Sequence, residues 1–246
     1  MPLDLPKKLK EDAIVEAVLE VRFESNDIGE VVVGRLTDLG NWKGFNFQSL
    51  PNADIPDIIR VNDPRLKFVP TVEGRSDRYA VRIGARVISY HVYEPYPGWR
   101  DLQHDLNSII HEIYNRLTDL RVTRLGLRYI NLINSKRHNL TDISQLELNI
   151  NVAGRNIQQG INLAFGQQKS EYHLVMTRVA SPEFISGTEL SKDVVCAIDV
   201  DVFTNDDFKE EREEAVQRWV SEAHNYEKEA FFQLLPDDLI TELAEE

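Results

Sequence analysis

Asp199-Val200-Asp201 is the stretch of this sequence whose residue types and spacing come closest to a site. Two carboxylates at i and i+2 of a strand point to the same side, and a pair so placed could share a hard cation such as Mg²⁺. The alternate residues Val194, Cys196, Ile198, Val200 and Val202 are apolar and would form the opposite, core face. Asp199 and Asp201 could equally line a solvated face or pair with arginines, while Asp206 and Asp207 close by could cap a helix. A second set is Arg22, Arg82, Arg124 and Arg128, which fall on polar strand faces with Glu16 and Glu20. Gly126, between two of these arginines, would leave room for a ligand. If the strands are neighbours, the guanidiniums form one charged face able to grip an anion through bidentate contacts. The plainer reading is an ion-pair lattice, which adds little stability per pair if exposed.

Other chemistry is thinly represented. His104, Ser108 and His111 share a helical face opposite an apolar stripe, and neither H-x-x-x-H nor H-E-x-x-H occurs, so zinc ligation is not expected. Cys196 lies mid-strand among apolar residues and reads as core rather than as a nucleophile. Walker A, G-x-G-x-x-G and G-x-S-x-G patterns are absent. No catalytic residue and no cofactor is assigned. Trp42, Phe45, Phe47, Tyr90, Tyr93, Tyr96 and Trp99 gather around loops, where they could fill the core or anchor an interface.

The elements that must position these groups follow from periodicity. Residues 14–24 alternate, with Val15, Ala17, Leu19, Val21 and Phe23 on one face. Residues 121–134 alternate in the same way and form the long strand on which a core can be built, with Leu125, Leu127, Tyr129 and Ile133 on one side. Further strands are expected at 66–72, 78–83, 86–93, 146–152, 160–165, 172–179 and 194–203, with Gly84-Ala85 as a tight hairpin. Helices are expected over 28–42, capped by Asn26 or Asp27 and stopped at Gly40, and over 99–120, on a stripe from Trp99 through Leu106 to Leu117. The last begins near Asp206 or Asp207, capped by Thr204 or Asn205, keeps Trp219 and Ala223 on its apolar face, and ends at Pro236. The opening arm, residues 45–64 and residues 181–193 read as irregular.

This order predicts an α+β fold, a largely antiparallel sheet with long amphipathic helices packed on it. Residues 1–246 read as a single domain, and the order suggests two divergent β-α-β-β-β-α units at 12–120 and 121–246.

Composition narrows the classes. With 246 residues, 42% hydrophobic, the chain can bury a substantial core. The single cysteine fits a reducing cytoplasm, the opening residues lack a signal-peptide apolar region, and no apolar run approaches the roughly 18 residues of a membrane span. The net charge of −13 is concentrated: residues 199–246 hold 16 acids against 4 bases, and residues 1–198 hold 25 against 24. That acidic end is not expected to face nucleic acid. It could meet a basic protein partner, although such segments are more often solvated surface.

LKEDAIVEAVLEVRFES at the start, YPGW and RLGLRYIN in the middle, and AHNYEKEAFFQLLPDDL near the end together resemble a sporadically distributed bacterial family of about this length. The resemblance implies a bacterial, cytoplasmic protein and assigns no activity and no site residue. The sequence thus leads to a protein-binding or regulatory module with a protein partner, homo-oligomerisation being left open. The alternative is a small-molecule or anion-binding protein, or a metal-dependent enzyme. Its site would lie between the polar sheet face and the covering helices, with Arg124 and Arg128 holding an anion or Asp199 and Asp201 a metal.

Overall fold

Two central strands, β1 (Ile14–Glu24) and β6 (Arg121–Asn134), pair antiparallel along nearly the whole of β1, from Ile14 opposite Asn131 to Glu24 opposite Arg121. The structure is a computed structural model and describes residues 5–6, 9–185 and 190–244. The opening arm and the connection around Gly187 lie partly outside the described residues. Helix α1 (Gly29–Thr37), strand β2 (Asn46–Ser49), helix α2 (Asp57–Asn62) and strands β3 (Val72–Arg75), β4 (Tyr79–Gly84) and β5 (Val87–Tyr93) follow β1, and helix α3 (Trp99–Arg116) leads into β6. After β6 come α4 (Ser135–His138), a small hairpin of β7 (Asn151–Val152) and β8 (Arg155–Asn156), β9 (Asn162–Ser170), β10 (His173–Ala180) and β11 (Val194–Phe203). The chain closes with α5 (Glu213–Phe232) and α6 (Asp237–Leu243).

Nine strands form one sheet in the order β2-β3-β4-β5-β1-β6-β11-β10-β9, and every pairing is antiparallel. The protein is therefore α+β, as the element order predicts. Connectivity is mirrored about the central pair: β5, the last strand before α3, lies against β1, and β11, the last before α5, lies against β6. The helices cover one face, with α1 over β4, α5 over β6, β10 and β11, and α3 packed on α5. Period-two alternation decides which residues enter that layer. Phe23, Leu125, Leu127 and Tyr129 face the helices with no exposed surface, whereas Glu20, Arg22, Arg124 and Arg128 face away.

Several expected boundaries move, each because a backbone group finds a different partner. Residues 66–71 are a turn, not a strand: the Asp63 carbonyl accepts from Leu66 and Lys67, its carboxylate accepts from Arg65, and pairing begins only at Val72. Residues 45–64 hold β2 and α2 rather than loop alone. Residues 146–150 are not a strand, because Glu147 N–H donates to the Leu234 carbonyl at the end of α5. Helix α1 starts at Gly29 without the expected side-chain cap; the Asp27 carboxylate instead accepts from the Thr118 N–H at 2.8 Å and pairs with Arg35 at 2.7 Å. Helix α5 starts at Glu213, not near Asp206, because Glu210 and Val122 exchange backbone hydrogen bonds of 2.8 and 3.0 Å and hold the chain extended. Thr204 Oγ1 accepts from Leu125 N–H rather than capping a helix. Of the loop aromatics, Trp42 and Tyr90 are core, while Phe47 is exposed.

Trp219 is 4% exposed, stacks on His173 at 5.1 Å between centroids, and donates its indole N–H to the Tyr172 carbonyl at 2.7 Å. Trp219→Ala should therefore cost about 3–5 kcal/mol. Urea denaturation measures it, and an unchanged midpoint would contradict the packing.

Candidate functional site

The helix-free face of the sheet brings together Arg22, Arg82, Arg124, Arg128, Asp199 and Asp201. Across the central strands Val18 lies beside His91 and Arg128, and Arg128 beside Asp201; Glu20 lies beside Ser89 and Gly126, and Gly126 beside Phe203. On this face each of the four arginines meets a carboxylate. Glu20 Oε1 accepts from Arg22 Nε at 2.8 Å and from Arg124 Nη1 at 2.7 Å. Arg128 grips both oxygens of Asp199 at 2.7 and 2.6 Å. Arg82 donates to Glu73 at 2.7 Å, and Arg75 donates to its other oxygen at 2.6 Å. His91 joins Glu16 at 2.8 Å and Ser89 at 2.9 Å.

The electrostatics follow from these contacts. Hydrogen bonds from Arg75 and Arg82 pull the Glu73 carboxyl down to about 2, against burial. The His91 contact lowers Glu16, and the Asp199 contact raises Arg128. Asp201 differs. Burial pushes it up to about 6, with Arg124 and Arg128 opposing and Asp199 and Glu20 reinforcing. Gly126 explains part of the geometry: a Cβ there would lie 3.3 Å from Arg124 Nη1, so the bare backbone lets the guanidinium reach sideways to Glu20. The room left by the glycine is taken up by the Arg124 side chain.

One expected placement moves. Arg124 and Arg128 lie on the side away from the helices, so they cannot line a pocket between sheet and helices. Asp199 and Asp201 do share a face, but both oxygens of Asp199 are engaged by Arg128. Among the described residues no group of three or more His, Cys, Asp and Glu side chains is set to hold a metal ion. Cys196 has no exposed surface and its thiol is pushed up to about 12 by burial, as its place among apolar neighbours predicts.

A different cluster lies on the helix side, where α5 and the start of α3 meet β6. A cavity of about 90 Å³ is lined by Tyr96, Trp99, Tyr129, Asn131, His224 and Glu227, with Phe231 and Phe232 closing one side. His224 stacks on Trp99 at 3.8 Å between centroids. The Tyr129 hydroxyl is 3.4 Å from His224 Nδ1 and 3.4 Å from the Tyr96 hydroxyl. Glu227 is 5% exposed, and His224 Nδ1 stands 4.0 Å from its Oε2, beyond hydrogen-bond reach. Burial raises the Glu227 carboxyl to about 8, with Lys228 opposing, and lowers His224 to about 4. Both are therefore mostly uncharged at neutral pH.

Sequence reasoning misses this cluster because the apolar face read from Trp219 and Ala223 leaves out part of the buried arc. The buried arc also includes Val216, Val220 and Phe231, and in that register Glu227 is a carboxylate at a core position. That misfit was the available signal.

Stability should depend on pH through Glu227. An acid raised from 4.5 to about 8 on folding stabilises most below 4.5 and loses that contribution as the pH climbs towards 8. His224 acts the other way, stabilising above 6.5 and losing that contribution as the pH falls through about 4. Between pH 6.5 and 8, then, the stability of wild type relative to Glu227→Gln should fall by up to about 1.4 kcal/mol per pH unit. Urea titrations of both at pH 6.5, 7 and 8 measure this, and parallel profiles would exclude a buried neutral Glu227. In comparison with known proteins, no family model matches the chain and no curated protein matches it.

Proposed function

We propose that the chain is a protein-binding module that docks through the helix-free face of its sheet, and that the partner presents carboxylates and apolar groups to the β6-β11-β10 side. The observation that supports this best is the patch around Arg178. Its guanidinium is held by neutral acceptors, Asn162 Oδ1 at 3.0 Å and the Phe184 carbonyl at 3.5 Å. Beside it Met176 is 39% exposed and Phe184 42% exposed, and Arg128 keeps 46% of its side chain in solvent despite its ion pair. Arginine, methionine and aromatic side chains, half-exposed together, have the composition of interface anchors.

The anion-pocket alternative has less support. Two wide concavities, of about 840 and 820 Å³, lie elsewhere, one lined by Glu24, Lys67 and Arg121 and the other by Glu147, Glu229 and Asp237; neither includes Arg124 or Arg128. The acidic end offers less free charge to a basic partner than its composition implies, since Glu210 pairs with Arg212, Glu211 with Arg121, and Glu213 with His111. The sheet face, where opposite charges are interleaved, lets another acidic protein approach a chain of net charge −13. No helix among the described residues is long and apolar enough to cross a membrane. A bacterial cytoplasm is the setting we propose, on the family resemblance and the lone buried thiol.

A photo-reactive residue at Met176 should cross-link a discrete partner in the native host, whereas the same residue at the exposed Glu30 on α1 should not. Arg178→Gln combined with Phe184→Ser, both at exposed positions, should abolish the product while the melting temperature changes little. Equal cross-linking from both positions, or survival of the product in the double variant, would defeat the proposal.

A further inference from the structure

The cavity beneath α5 has walls of one kind and a floor of another. Tyr96, Trp99, Tyr129, Phe231 and Phe232 supply aromatic surface, while Glu227 supplies a buried carboxyl that no hydrogen bond among the described residues reaches. Burying such a group without a partner is unfavourable unless something in the cavity interacts with it. We propose that the cavity is a binding site for a small alkylammonium cation, held between the aromatic walls and the carboxylate of Glu227. Aromatic faces attract cations most strongly where water is excluded, and methylated ammonium groups are the chemistry such cages take. The size agrees: at about 90 Å³ the cavity is well above the roughly 10–15 Å³ that one water needs, which leaves room for a compact head group. The rim is formed by half-buried Asp12, Ile14, Tyr96, Trp99 and Lys228, so a tail can leave towards solvent.

The charge arithmetic gives this binding a proton signature. Without a cation the Glu227 carboxyl keeps its proton up to about pH 8, because burial disfavours the carboxylate. A cation in the cavity adds counter-charge beyond that of Lys228, the carboxyl ionises, and one proton leaves to solvent. The groups facing Glu227 are His224 and Lys228 on α5, Tyr129 and Asn131 on β6, Tyr96 in the loop before α3, and Asp12 ahead of β1. His224 at about 4 and the two tyrosines, both raised by burial, keep their charge state between pH 6 and 8. Asp12 and Lys228 also face the cavity, so the assignment of the dependence to Glu227 is read from the Glu227→Gln variant.

Isothermal titration of the full chain with choline chloride, and with its uncharged isostere 3,3-dimethylbutan-1-ol, tests the proposal. Choline should bind at least tenfold more tightly than the alcohol at pH 8, and its affinity should rise about tenfold per pH unit from 6 to 8 and then level off. Glu227→Gln, which mimics the protonated acid and should fold, should bind choline no better than the alcohol and without pH dependence. Phosphatidylcholine vesicles in a parallel arm distinguish a lipid-borne head group, which would displace choline, from a free cation, which would not be displaced. Equal affinity for choline and the alcohol, no binding of either at millimolar concentration, or an unchanged pH profile in Glu227→Gln would overturn it.

Discussion

The antiparallel ladder between β1 and β6 is the constraint on which the rest of the structure depends. Because side chains on paired strands alternate in step, fixing one register fixes the face of every residue on both strands. Glu20 opposite Gly126 and Leu19 opposite Leu127 put the charge on one side and the fully buried aliphatic side chains on the other. A one-residue slip would exchange them, burying Arg124 and Arg128 beneath α5 and exposing Leu125 and Leu127. The cost of burying unpaired guanidiniums excludes that alternative. Each flanking strand then inherits its parity from its neighbour, out to β2 on one side and β9 on the other.

Given that parity, the polar face must neutralise itself, and it does so by reaching between strands. Arg124 is opposite Arg22, a like-charged pair that would repel. Both arginines instead converge on Glu20, one along its own strand and one across the ladder over Gly126. Glu73 performs the same service for Arg75 and Arg82 near the far edge. Sharing a carboxylate between two arginines orders three side chains at once and leaves the outer parts of the guanidiniums exposed. The lattice is thus a surface of fixed, outward-facing donors rather than a pocket.

The parts of this architecture legible in the sequence were those governed by local periodicity. The alternation in residues 14–24 and 121–134, the stripe of α3 and the apolar side of β11 all emerge as expected, since each is decided within a few residues. Strand neighbours are not local. Arg82 meets Glu73 through the register of the β3-β4 hairpin, and that register was not legible because β3 begins only at Val72 rather than at Leu66. Asp206 and Asp207 look like a helix start, yet they form only a turn, and the chain then runs on to Glu210, which finds Val122, a partner distant in sequence. The helix-side cluster was hidden twice. Trp99 and His224 meet only because α3 and α5 pack, and Glu227 is a charged residue type that a search for apolar periodicity passes over.

The two polar groupings differ in a way that bears on function. On the sheet face nearly every carboxylate has a cationic or imidazole partner within 3 Å, so the charges are internally resolved and the face needs no ligand to be stable. Glu227 is the opposite case. It occupies a core position on α5, faces aromatic rings across a void, and responds by staying protonated rather than by pairing. A leucine or methionine there would satisfy both packing and polarity, since replacing buried ionisable groups by well-packed apolar ones is often neutral or stabilising. Sequences that specify a fold consistently break such local rules mainly where a site requires it. By that reasoning the lattice explains how the sheet tolerates its charge, whereas the buried acid beside its cavity is the feature that the fold alone does not require.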